Sequence, residues 1–154
     1  MEEFDDIRRE VARCIGFDLA AVTADDEAAH LDTASLLFSV AGLAIVAFCS
    51  GFIEEMAKDL GKKAWAALGA KAASLLKGGP SESLEEQEQV EKEVFLAFRD
   101  ALAFLQNEKR EVELQAGMKE GKKTAARFLS ANNLPSNKTE EIVLLIEKQL
   151  RYRP

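Results

Sequence analysis

The chain has 154 residues, enough for one domain or a small domain with a tail; 47% are apolar and 31% charged, a mix that argues against wholesale disorder. A net charge of −7 argues against non-specific binding to nucleic-acid phosphates, which needs a basic surface, so nucleic acid is not expected as a partner. The acidic start, Met1-Glu2-Glu3-Phe4-Asp5-Asp6, lacks the basic region and apolar segment of a signal peptide, so secretion by that route is not expected.

From residue 3 to 15 the apolar positions Phe4, Ile7, Val11, Cys14 and Ile15 follow helical spacing, and Gly16 is the expected end of that helix. Thr23-Ala-Asp-Asp26 resembles a capping box that would start a second helix near Ala24. Residues 33–53 are 21 consecutive positions without a charge, free of proline and rich in alanine and leucine, which favours helix over strand. Past Glu54 and Glu55, Leu60, Ala64, Leu68, Ala72 and Leu75 recur every three or four residues, with Lys58, Lys62 and Lys77 mainly on the other side. This predicts one amphipathic helix over 54–77. Gly78-Gly79-Pro80 closes it and divides an N-terminal module, 1–79, from a C-terminal module, 80–154.

Ser83-Leu-Glu-Glu86 is a capping box opening a helix over 84–106, with Val90, Val94, Ala97, Phe98, Ala101, Phe104 and Leu105 on its buried face. Residues 111–115 alternate like a short strand, although an extended loop or a continuing helix fits nearly as well. A short helix is expected over 122–130. Asn137-Lys-Thr-Glu140 is the expected cap of a last helix over 138–151, with Ile142, Leu145, Ile146 and Leu150 buried. The fold class is therefore all-α, with five or six helices.

Catalytic groups are few. His30 is the sole histidine, so every Ser-His-Asp or Cys-His arrangement would pass through it. It sits among Asp25, Asp26, Glu27 and Asp32, but no second histidine or nearby cysteine completes a metal set, and a solvated helix end explains the cluster. Cys14 and Cys49 match no metal or redox spacing and read as small buried thiols in a reducing compartment. The segment 117–124 imitates a phosphate loop but places three residues between Gly117 and Gly121 where four are needed, and Lys123 separates Lys122 from Thr124. Asn137-Lys-Thr139 matches a glycosylation acceptor, a short motif met by chance. No enzymatic activity, cofactor or metal is expected.

The uncharged run is the feature with consequences. As a helix rising 1.5 Å per residue, about 20 residues reach roughly 30 Å, the thickness of a bilayer's hydrocarbon core. Leu36, Leu37, Phe38, Val40, Leu43, Ile45, Val46, Phe48, Phe52 and Ile53 would meet lipid, contributing roughly −3 to −6 kcal/mol on an insertion scale, offset in part by the serines and glycines between them. Arg13 alone flanks the run on its N-terminal side, whereas Lys58, Lys62, Lys63 and Lys71 flank the other, which would leave most of the chain in the cytoplasm. Lys58, Lys62 and Lys63 would meet anionic headgroups and Trp65 the membrane interface. Ser35, Ser39, Ala47 and Gly51 are small residues in pairs four apart that would let helices pack closely.

Two functions follow. The first is a non-enzymatic membrane-associated helical protein, an anchor or self-assembling inserted component, whose C-terminal module regulates or binds another protein. The alternative is a soluble cytoplasmic bundle, an adaptor or inhibitor, in which 33–53 is the buried core helix.

Overall fold

The computed structural model describes residues 2–22, 27–77 and 84–151, and within them the side chains of 3–16, 39–58, 60–77 and 86–151. These residues form α1 (Glu2–Val22), α2 (Glu27–Leu60), α3 (Lys63–Leu76), α4 (Leu84–Asn107), α5 (Glu111–Ala131) and α6 (Ser136–Arg151); no strand occurs among them. The protein is all-α.

The arrangement follows from α2. It has 34 residues, and a helix of that length runs about 50 Å. Its middle is apolar on every side, so no single neighbour can cover it. α1, α3, α4 and α5 all pack against it, α5 most extensively, and α6 closes the remaining gap between α5 and α1. The result is one continuous core holding Phe4 and Val11 of α1, Phe48 and Phe52 of α2, Phe98 and Leu102 of α4, Met118 and Leu129 of α5 and Ile142 and Ile146 of α6. That core includes residues from both sides of the Gly78-Gly79-Pro80 sequence. Edge-to-face rings knit it together: Phe52 and Phe98 have centroids 4.8 Å apart, Phe4 and Phe95 5.4 Å, and Phe48 and Phe98 6.3 Å.

Several expectations are corrected. α1 does not stop at Gly16 but runs to Val22. A lone glycine inside a helix costs only about 1 kcal/mol relative to alanine, which the buried Phe4, Ile7, Val11 and Ile15 stripe outweighs. The helix expected over 54–77 is broken. Gly61 adopts a left-handed φ of +66° and Lys62 is extended, which ends α2 at Leu60 and restarts the chain as α3. The apolar spacing of the sequence runs straight through this break, but of the expected stripe Ala64 is exposed and Gly69 is buried instead.

Residues 111–115 are not extended, and the helix over 122–130 is only the second half of α5. The buried positions of α5 are Leu114, Gly117, Met118, Gly121, Ala125 and Leu129, a helical stripe in which glycine and alanine stand where large apolar residues were sought. α6 begins at Ser136, so Asn137 is not its cap; the Thr139 N–H instead donates to the Pro135 carbonyl at 2.9 Å. Phe104 is 40% exposed rather than buried, and Phe95 and Leu102 take its place in the core. The proposed caps at Thr23 and Ser83 and the Gly78-Gly79-Pro80 closure lie outside the described residues.

Two tight turns join the C-terminal helices. Lys109 (φ 55°) and Asn133 (φ 68°) take left-handed conformations, letting Arg110 N–H reach the Leu105 carbonyl at 2.9 Å and Leu134 N–H reach the Leu129 carbonyl at 3.3 Å. Each pattern satisfies helix-end carbonyls that would otherwise lack a donor.

Candidate functional site

The side chains expected to matter for lipid are, where described, distributed between core and surface. Ile45, Phe48, Phe52 and Ile53 have no exposure and Val46 only 1%, while Val40 and Leu43 are half-buried. Ser39 is half-buried, and Ala47 and Gly51 are buried. The side chains of Ser35, Leu36, Leu37 and Phe38 lie outside the described residues, as do those of His30 and its neighbouring carboxylates. Lys58, Lys62 and Lys63 are exposed, and Trp65 is half-buried with the Lys62 Nζ 5.8 Å from its ring centroid.

The α2–α5 seam is built on missing side chains. A Cβ on Gly51 would stand 2.6 Å from the Glu120 carbonyl oxygen and 2.5 Å from Thr124 Oγ1. A Cβ on Gly117 would meet the Phe52 ring at 2.7 Å, and one on Gly121 would meet the Phe48 carbonyl oxygen at 2.8 Å. The role of Gly117 and Gly121 escaped the sequence reading. Their signal was a four-residue spacing shared with Ala125, a small-residue stripe obscured by the resemblance to a phosphate loop.

α3 is seated differently. Its buried residues are Gly69 and Ala72; Trp65, Leu68, Ala73, Leu75 and Leu76 are half-buried, and Ala64, Ala66, Ala67 and Ala70 are exposed. Gly69 rides over the Glu54 side chain, where a Cβ would lie 2.6 Å from Cγ. On the α5 side of α3 a cavity of about 560 Å³ opens between Gly51, Ala73, Leu76, Thr124 and Phe128. On the opposite side a second, of about 470 Å³, lies between Ala57, Gly61, Ala66 and Ala70. Glu54 and Lys58 border both. Partial burial raises the Glu54 carboxyl above the usual carboxylate range, an effect opposed by the positive charges of Lys58 and Arg127. Helix α3 thus rests on α2 with a hollow along each flank, whereas α5 is locked to α2 backbone against backbone.

A buried charged pair lies at the other end of the bundle. Glu91 of α4 is 2% exposed and its Oε1 is 3.6 Å from Arg8 Nη1 of α1. Gly42 of α2 makes room for them: a Cβ there would stand 2.9 Å from Glu91 Oε2 and 3.1 Å from Arg8 Cδ. Burial pushes the Glu91 carboxyl up to about 7 despite the Arg8 charge, with Glu88 and Asp5 adding to the rise and a Gln87 hydrogen bond resisting it.

Both cysteines are free thiols; Cys14 is half-buried, and complete burial pushes the Cys49 thiol far up, away from the reactive thiolate. Among the described residues no three His, Cys, Asp or Glu side chains gather as a metal site. Comparison with protein-family models, curated proteins and solved structures finds no match for this chain.

Proposed function

We propose that this chain is a non-enzymatic interaction protein: a helical bundle that keeps its apolar helix as a core and acts by presenting its folded surface to a binding partner. The observation behind this reading is the state of Ser39–Lys58, the stretch long and apolar enough to cross a bilayer, which is 78% buried inside the bundle. Helices α1, α4 and α5 supply it with ring contacts, close backbone approach and a shared core, so the apolar surface that would call for lipid is already shielded from water. Purification without detergent, followed by sedimentation as a discrete monomer or dimer, tests this. A chain that aggregates unless detergent is present sinks it.

The length and composition of Ser39–Lys58 support a second reading, entry of α2 into a bilayer. That would require α2 to exchange its bundle contacts for lipid, exposing the amphipathic faces of α1, α4 and α5. Cys49, fully buried in α2, reports on it. In a Cys14→Ser background, a thiol reagent added after mixing with vesicles labels Cys49 only if the bundle has opened.

A further inference from the structure

We infer that α3 is a docking helix for an anionic lipid surface, binding it peripherally while the rest of the bundle stays folded; this rests on the interaction-protein reading and names its partner. The first observation is charge. Segment 61–77 holds Lys62, Lys63, Lys71 and Lys77 and no acidic residue, in a chain whose net charge is −7. All four lysines are exposed, and among the described residues none of them forms an ion pair. Several cations elsewhere are paired, Arg9 with Asp6, Arg13 with Glu10, Arg110 with Glu113 and Lys122 with Glu147, and acidic residues accompany the cations of every other helix. The carboxylates nearest to the lysines of 61–77, Glu54 and Glu55 of α2 and Glu86 and Glu93 of α4, border the hollows at the sides of α3, while α3 itself carries positive charge alone.

The second observation is the shape of the surface between the charges. Ala64, Ala66, Ala67, Ala70 and Ser74 are the exposed residues between Lys63, Lys71 and Lys77, so only short side chains separate the ammonium groups, which stand above them on long stems. Lysine is a hydrated point charge on a flexible stem, without the fixed fork that arginine offers a single carboxylate or phosphate. Such a face suits a broad, laterally mobile layer of negative charge. Segment 61–77 holds no arginine, and its one aromatic residue, Trp65, is half-buried, so the exposed anchors that dominate protein–protein contacts are missing from this face. Trp65, half-buried at the N-terminal end of α3, is the residue type that settles at a headgroup boundary.

The third observation is the seat of α3. Cavities of about 560 and 470 Å³ flank it, and Gly61 at φ +66° joins it to α2. The helix is therefore held to the bundle mainly through α2, where Gly69 and Ala72 are buried, and its outer side is left uncovered.

The test is sedimentation of the full chain with vesicles of equal parts phosphatidylcholine and phosphatidylserine, against pure phosphatidylcholine. Binding to the mixed vesicles at low salt, absence of binding to the neutral ones and release in about 0.5 M salt are expected. Each lysine near an anionic leaflet raises binding about fivefold, so Lys63→Glu, Lys71→Glu and Lys77→Glu together should weaken it by about 100-fold or more. An unchanged circular dichroism spectrum and melting curve would establish that the exposed substitutions leave the fold intact. Equal binding to neutral vesicles, undiminished binding by the triple variant, or capture by immobilised polyglutamate but not by mixed vesicles would each overturn the inference. Cys49 in the Cys14→Ser background separates this from the reading beneath it. Charge-dependent binding with Cys49 unlabelled supports peripheral docking; labelling on the vesicles overturns docking with an intact bundle.

Discussion

Gly121 of α5 lies so close to Phe48 of α2 that an added Cβ would sit 2.8 Å from the Phe48 carbonyl oxygen and 2.9 Å from its ring. Backbone cannot swing aside as a side chain can, so a methyl group here must push the two helices apart. Gly51 makes the reciprocal approach to the Glu120 carbonyl oxygen, at 2.6 Å. In an open helix, glycine to alanine gains about 1 kcal/mol. At these two positions the sign should reverse: Gly121→Ala and Gly51→Ala are each expected to destabilise by about 1–3 kcal/mol in urea unfolding. Gly69→Ala is the control. Its nearest obstacle is Glu54 Cγ at 2.6 Å, part of an exposed side chain that can turn away by a change of χ1, so the loss should be smaller than at Gly51 and Gly121. Equal losses at all three would contradict the distinction between a locked α5 and a loosely seated α3.

The Glu91–Arg8 pair predicts a pH dependence with a definite sign. Burial raises the folded-state Glu91 pKa from 4.5 to about 7, so between those values the folded chain holds a proton that the unfolded chain releases. Its contribution is therefore complete below about pH 4.5, declines as pH rises toward about 7, and is flat above that, a change on the order of 3 kcal/mol. Glu91→Gln removes the titration. Urea midpoints measured from pH 5 to 8 should fall less steeply for the variant than for the parent chain. Parallel slopes would mean that Glu91 titrates near its ordinary value.

The packed rings offer a test of the core itself. Phe52 and Phe98 meet edge to face at 4.8 Å with neither exposed, so Phe52→Ala should cost about 3–5 kcal/mol. A double-mutant cycle with Phe98→Leu should return a coupling of about 0.5–1.5 kcal/mol, the part of the contact that buried area alone does not explain. Strict additivity would leave the ring geometry without energetic weight.

The helices were legible wherever large apolar residues carried the period. Phe4, Ile7, Val11 and Ile15 marked α1, and Ile142, Ile146 and Leu150 marked α6, because large apolar side chains hold most of the buried positions there; the buried Thr139 gave no such signal. α5 was obscured for the opposite reason. Gly117, Gly121 and Ala125 face α2 by virtue of what they lack, and a pattern counted in bulky residues passes over them. The Gly61 break was hidden because apolar residues recur every three or four positions on both sides of it, and a single glycine is tolerated inside a helix. The site was legible only in part. The lysines and Trp65 of α3 stand out in one dimension, but the hollows beside the helix depend on how it sits on α2, which local periodicity does not encode. Glu91 could not be told from its acidic neighbours, since only the crossing of α1 and α4 over Gly42 buries it.

Arg99 ties three helices together, and its substitution should loosen one of them selectively. From α4 its guanidinium donates to the Leu150 carbonyl in the last turn of α6 and to the Glu3 carboxylate at the start of α1. It also lies over the Phe95 and Phe98 rings, 5.3 and 5.9 Å from their centroids. A helix's final carbonyls have no intrahelical donor, and a cation there also complements the helix dipole. Lysine keeps the charge but offers a single ammonium, too compact to reach both partners while stacking on the rings. Arg99→Lys should therefore cost about 1–2 kcal/mol, the scale of one charge-assisted hydrogen bond. The loss should be uneven: hydrogen exchange should quicken in the last turn of α6, while amides of α2 along the Gly51–Glu120 approach keep their protection relative to global unfolding. Uniform acceleration across all helices would instead make Arg99 an ordinary member of the core.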